Sequence, residues 1–384
     1  MSRPLEGLLV LEFCQFLAGP SAGLKLADMG ARVIKIERPV KGEAGRQLAI
    51  KNIFVEGDSL LFHTINRNKE SYAADLKDPD DLEAVKKLIE KADVITHNFR
   101  PGVMEKTGLD YKSVKLINPR IIYATVTGYG NVGPWANKPG QDLLVQSLSG
   151  LTFLSGTCDQ GPVPFGLSVS DIMCGNHFTQ GILAALIKRS RTSASVLVEV
   201  SLMESTLDLQ FEVLTTYLND GRKLPKRSQI KGSGHAYLSA PYGLYETADG
   251  YLALAMGDLT DIGSAIGCDL AGLYTNSLSS FEKRDDILQI LSKTFKQKVT
   301  KEWLEILIPL DIWCADVLTY ADAVDFPAFK ELCIRQSIHV NEAVEIETTR
   351  SPIRIDHEKL FSSKPAPGVG AHNKQLNREF NIRL

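Results

Sequence analysis

The stretch Gly166-Leu-Ser-Val-Ser-Asp171-Ile-Met-Cys-Gly175 carries the residue best suited to covalent chemistry, Asp171. It stands where small residues meet an apolar pattern, with Ile172, Met173, Phe178, Ile182, Leu183, Leu186 and Ile187 recurring at roughly helical spacing. A carboxylate at a helix start lies near the amides of the first turn, which favour its ionised form. Gly166, Ser168, Ser170 and Gly175 leave room for a bulky group to approach. An ionised, approachable carboxylate can attack an activated acyl group. The same residue also reads as a plain helix cap, because Asp is a preferred N-cap type. The segment alone leaves both readings open.

Other motifs speak to binding or exclude chemistries. The first strand-to-helix turn offers Gly19 and Gly23 but not Gly-x-Gly-x-x-Gly, so a nicotinamide site is not expected, although Glu37 ends the second strand where a ribose-binding acid would lie. Arg38 follows that strand and could grip a phosphate at the carboxyl edge of a sheet, or be an ordinary surface arginine. Gly166-Leu-Ser-Val-Ser170 lacks the final glycine of a nucleophile elbow, which disfavours a serine hydrolase. His97-Asn-Phe-Arg-Pro-Gly102 joins a cation, an aromatic ring and a helix-starting Pro-Gly, a set that suits an adenine-phosphate ligand but also a generic loop. His97 itself reads as structural. Lys231-Gly-Ser-Gly-His235 is a glycine segment, either a lid or a linker.

The elements that must position these residues alternate. Leu8–Phe13 reads as a buried strand, Ser21–Met29 as a helix and Gly30–Glu37 as a second strand, a βαβ unit. A helix over Pro79–Lys91 leads to a strand over Ala92–His97, and Asn118–Val126 repeats the pattern. Such alternation predicts a doubly wound, Rossmann-like parallel sheet in an α/β chain. A helix is expected over Ser205–Leu218. Farther on, Ala240–Thr247, the turn Ala248-Asp-Gly250 and Tyr251–Met256 form a hairpin pattern, followed by helices over Asp285–Phe295 and Lys301–Ile308. Pro352–Ile355 resembles a strand. The expected organisation is a large domain of residues 1–205 plus 345–384, a smaller α+β domain of residues 225–335, and linkers at 206–224 and 336–344.

Composition narrows the partners. A 384-residue chain with 44% hydrophobic and 23% charged residues is an ordinary globular protein, and a net charge of -3 gives no case for nucleic acid or a membrane surface. The six cysteines show no Cys-x-x-Cys spacing and the seven histidines no His-x-x-x-His pair, so no metal site is expected. With no signal-peptide pattern and no bilayer-length apolar run, a cytoplasmic location is expected.

Asp58-Ser-Leu-Leu-Phe62, Asn66-Arg-Asn-Lys69, Asp75-Leu-Lys-Asp-Pro79, Asn98-Phe-Arg-Pro-Gly102 and Gly128-Tyr-Gly-x-x-Gly-Pro134 occur in that order. Pro139-Gly-Gln-Asp142, Ser149-Gly150, Asp171 and the closing Pro365-Ala-Pro-Gly-Val-Gly370 follow. This series resembles the class III CoA-transferases, the family that includes formyl-CoA:oxalate CoA-transferase. The resemblance implies CoA and acyl-CoA as substrates, a small carboxylic acid as acceptor, no metal and an intertwined homodimer. It implies that Asp171 is the nucleophile, forming a mixed anhydride and then an aspartyl-CoA thioester, with Asp142 and Gln15 beside it. Phe16, Leu17, Ala18, Arg38, Asn98, Phe99, Arg100 and Lys106 match CoA-contacting or basic positions. Gly232 and Gly234 match a mobile loop over the intermediate, shortened here to Gly-Ser-Gly. Arg191-Thr-Ser-Ala-Ser-Val196 replaces a glycine-containing turn, an expected change to a hairpin. α-Methylacyl-CoA racemases resemble the chain too, but carry His where this sequence has Gln141, which cannot transfer protons near neutral pH. A transferase is therefore expected over a racemase or a silent acyl-CoA-binding relative.

Overall fold

Six short strands form one parallel sheet: β1 Leu9–Glu12, β2 Arg32–Glu37, β3 Glu70–Ala73, β4 Val94–His97, β5 Ile122–Thr127 and β6 Val196–Ser201. The structure is a computed structural model and describes residues 3–270, 277–362 and 364–382. The spatial order is β3-β2-β1-β4-β5-β6. Every residue of β1 and β4 is buried, as a parallel sheet covered on both faces requires. Successive side chains divide between two cores: Val10, Val33, Ile122 and Ala124 enter one, and Leu9, Leu11, Ile34 and Tyr123 the other.

The helices around this sheet are α1 Ala18–Asp28, α2 Leu60–Asn66, α3 Pro79–Lys91, α4 Val103–Thr107, α5 Tyr111–Ile117, α6 Asp142–Leu148, α7 Val169–Thr192 and α8 Leu202–Leu209. The first core holds Ala22 and Leu26 of α1 with Phe178 and Ile182 of α7, and the second holds Val85, Leu88 and Ile89 of α3 with Val114 of α5. Local chemistry sets the ends. Asp78 accepts from the amides of Asp80 and Asp81, and Pro79 opens α3. The chain winds from β1 to β2 on one side and later reaches β4 on the other, so the β1–β4 boundary is the topological switch point.

The chain divides into two units. One runs to Val145, resumes over Ser168–Leu209 and returns from Leu332 onward; the other comprises Gln146–Leu167 and Gln210–Glu331. The second unit holds α9 Phe211–Asn219 and an antiparallel sheet of β7 Gly243–Glu246, β8 Tyr251–Leu254 and β9 Cys314–Asp316. Tyr245, Leu252 and Leu254 pack there against Leu288, Leu291, Phe295 and Trp303. The latter side chains come from helices Arg284–Phe295 and Thr300–Leu307.

Several expectations need correction. The helix expected over Ser205–Leu218 is two helices, because Gln210 (φ -97°, ψ 16°) leaves the helical region. Residues 206–224 are therefore largely helical rather than a linker. Residues 336–344 belong to a hairpin, in which Arg335–His339 pairs with Glu345–Thr349. The stretch Arg191–Val196 is not a hairpin. It joins α7 to β6 through Ser193, whose φ of 52° closes the helix while its amide donates to the Arg189 carbonyl.

Candidate functional site

Asp171 is the third residue of α7, and Ser168 in the cap position makes no side-chain capping bond. Asp142, the first residue of α6, takes that role. Its Oδ1 accepts from the Ser170 amide at 2.7 Å and the Asp171 amide at 3.2 Å. The amides expected to hold Asp171 ionised are thus engaged by another carboxylate. Burial first, and the Asp142 charge second, push the Asp171 carboxyl from 3.8 up to about 7. The sequence expectation of a stabilised anion is corrected: the half-buried carboxyl is poised to titrate near neutrality.

Two close backbone contacts place this pair. A methyl group at Gly175 would lie 2.8 Å from the Ala18 carbonyl oxygen and 2.4 Å from Ser21 Oγ, so only glycine lets α7 touch the start of α1. Asp171 sits one turn earlier on the same side of α7. Both helices begin at the carboxyl edge of the sheet, since α1 follows β1 and α7 leads into the amino end of β6. Likewise a methyl group at Gly128 would lie 2.6 Å from the Gly140 Cα. That contact seats the segment before Asp142 against the end of β5.

The other candidate residues gather along this edge. Gln15, Phe16 and Leu17 follow β1, Arg38 follows β2, and Asn98, Phe99 and Arg100 follow β4. The Gln15 amide donates to Asn98 Oδ1 at 2.8 Å, and Asn98 Nδ2 donates back to the Gln15 carbonyl at 2.7 Å. This pair clasps β1 to β4 at the switch point. Ala18 is buried as the first residue of α1, whereas Phe16 is exposed with a left-handed φ of 64°. Arg38 and Arg100 are exposed, and Lys106 is exposed on α4. Exposed cations beyond the two strands that flank β1 are of the type that can hold a phosphate-bearing ligand.

Two neighbours are already committed. His97 is buried edge-on to Tyr123 at 5.3 Å, and burial pushes its imidazole down to about 4, which keeps it neutral. Glu37 is engaged by Arg46 at 2.6 Å rather than open to a ribose. Although burial pushes the Glu37 carboxyl up, the Arg46 hydrogen bond holds it below its ordinary value. In the second unit the Gly232 carbonyl accepts from Leu244 at 2.7 Å, and the Gly234 amide donates to Tyr242 at 3.1 Å. The glycine segment is therefore tied along β7. Sequence reasoning missed Glu12, Lys35, Glu43 and Lys69, all buried beneath the turn after β1. For Glu12 and Lys35 the signal was a charge interrupting an apolar strand pattern, Leu-Val-Leu-Glu12 and Val-Ile-Lys35-Ile; Glu43 and Lys69 lie in polar segments that carry no such signal.

A parallel, doubly wound sheet with Asp142 capping the helix that carries half-buried Asp171 defines a mixed α/β scaffold. The chain belongs to CoA-transferase family III, whose description matches residues 5–373. It is 31% identical to succinyl-CoA:glutarate CoA-transferase of Mus musculus, over 98% of this chain and 86% of that protein. It is 32% identical to acetyl-CoA:oxalate CoA-transferase of Acetobacter aceti, over 98% of this chain and 96% of that protein. The crystal structure of a CAIB/BAIF family protein from Brucella suis superposes with a TM-score of 0.85 and 31% identity, covering 99% of this chain and 100% of that one.

Proposed function

We propose that Asp171 is the acyl-accepting nucleophile of a CoA-transferase that moves CoA from an acyl-CoA donor to a small carboxylic acid. Supporting this reading, burial and the Asp142 charge push the half-buried Asp171 carboxyl up to about 7, and one turn further along α7 Gly175 packs against the start of α1. The carboxylate oxygen attacks the thioester carbon, and CoA leaves as a thiolate, giving a mixed anhydride. The thiolate then attacks Cγ of Asp171, the donor acid leaves as its carboxylate, and an aspartyl-CoA thioester remains. The acceptor carboxylate attacks that thioester, and the returning thiolate takes the acceptor acyl group and frees Asp171.

Gln15 faces the reacting groups in this reading, Asp142 fixes the helix start, and Arg38, Arg100 and Lys106 hold the CoA phosphates. Succinyl-CoA with glutarate or oxalate is the first combination to assay, given the names of the relatives. Cytoplasmic placement and an intertwined homodimer belong to the same proposal.

Incubation with succinyl-CoA followed by hydroxylamine should convert Asp171 to a hydroxamate, and Asp171→Ala should abolish both adduct and transfer. An unmodified Asp171, or full transfer by D171A, would sink the mechanism. Gln141 offers no proton-transfer group, so α-proton exchange in deuterated water should be absent.

A further inference from the structure

The turn after β1 is held by side chains from other elements. Lys35 Nζ donates to the Cys14 carbonyl at 2.8 Å, the Asn98 side chain clasps the backbone amide and carbonyl of Gln15, and the Phe16 amide donates to Glu43 Oε2 at 3.1 Å. Phe16 is a non-glycine residue in the left-handed region, a conformation that costs on the order of 1 kcal/mol and persists only when its surroundings impose it.

The imposing group is a buried set of charges. Glu43 Oε2 also accepts from the Gly45 amide at 2.7 Å, and its Oε1 lies 3.4 Å from Lys35 Nζ. Lys35 donates to Glu12 Oε1 at 3.1 Å. Glu12 is shared with Lys69, whose Nζ reaches both Glu12 oxygens at 2.9 and 3.0 Å and the Pro20 carbonyl at 2.8 Å. Two acids and two lysines thus balance beneath the turn and the first turn of α1. Buried charges this closely paired contribute little net stability, and registry is their best-attested use.

We propose that Glu43 is a positioning residue for acyl transfer: its carboxylate holds the Phe16 amide, and so fixes the strained turn that presents Gln15 to the group on Asp171. This rests on the nucleophilic role of Asp171 proposed above. Glu43 does not touch the reacting atoms. Its effect falls on the orientation of the turn, whereas the CoA phosphates are gripped by Arg38 and Arg100 from other strand ends.

Two variants separate reach from charge. Glu43→Asp keeps the negative charge for Lys35 but withdraws the acceptor from Phe16 by one methylene. Glu43→Gln keeps an acceptor within reach and removes the charge. Steady-state kinetics with succinyl-CoA, the rate of hydroxylamine-trapped adduct and melting temperatures are measured for both variants and wild type. E43D should melt close to wild type yet lose about 10-fold or more in kcat, with KM for the acyl-CoA within about threefold. E43Q should retain kcat within about threefold despite a lower melting temperature.

Wild-type kcat in E43D overturns the proposal. So does an equal loss in both variants, or a loss in E43Q alone, since either outcome assigns the residue to charge balance. If wild-type protein forms no Asp171 adduct at all, the nucleophile reading fails instead, whatever the variants do.

Discussion

Replacing Asp142 by Asn tests the electrostatics of the site most directly. Asn keeps an oxygen to accept from the Ser170 and Asp171 amides, so α7 remains capped, while the charge beside Asp171 disappears. The rise of the Asp171 carboxyl from 3.8 to about 7 amounts to about 4 kcal/mol at 1.36 kcal/mol per unit. Burial is the larger of its two causes, so Asp142 supplies at most half, no more than about 1.5 units. The acid limb of adduct formation, followed by hydroxylamine trapping from pH 4.5 to 8.5, should lie near 7 in wild type and move down by up to about 1.5 units in D142N. At pH 8 the two rates should converge.

Stability must follow the same sign. The folded carboxyl binds its proton more tightly than the unfolded one. The stabilisation is therefore fully present below the unfolded value near 4 and is lost as pH rises through about 7. D142N should lessen that decline in melting temperature. An acid limb in D142N at or above that of wild type would refute the assignment of the shift.

Two further outcomes follow from geometry. Gly175→Ala should cost about 1–3 kcal/mol of stability by chemical denaturation and lower kcat, because the new methyl meets the Ala18 carbonyl; unchanged stability would show that α7 relaxes freely. Arg38→Ala and Arg100→Ala should each raise the KM for acyl-CoA by about 10-fold, the value of one charge-assisted hydrogen bond, with kcat at saturation retained. A fall in kcat alone would place these cations at the reacting centre instead.

The strands β1, β2, β4 and β5 were legible because each is an apolar run in a chain of alternating elements. The strand β3 was not: Glu70-Ser-Tyr-Ala is largely polar, and its place at the sheet edge shows only in the fold, where it pairs with β2 and Arg32 reaches Glu70 at 2.9 Å. The helix that carries Asp171 was legible from the apolar pattern behind it. The upward shift of the Asp171 carboxyl was not, since it comes first from burial in the folded chain and then from Asp142, 29 positions earlier. The charges under the turn after β1 come from four separate segments of the chain. Pairing among Glu12, Lys35, Glu43 and Lys69 exists only once β1, β2 and the segments around 43 and 69 have come together.

The paired glycines at 128 and 140 have a consequence for how such a site can diverge. Because their backbones meet, the stretch between them leaves and re-enters the protein at nearly one point, and most of residues 131–140 are exposed. Adding residues to a loop with fixed ends costs little, about 0.6 kcal/mol for a doubling of length. The stretch can therefore be lengthened, trimmed or exchanged between relatives without disturbing the register of Asp142 just beyond it.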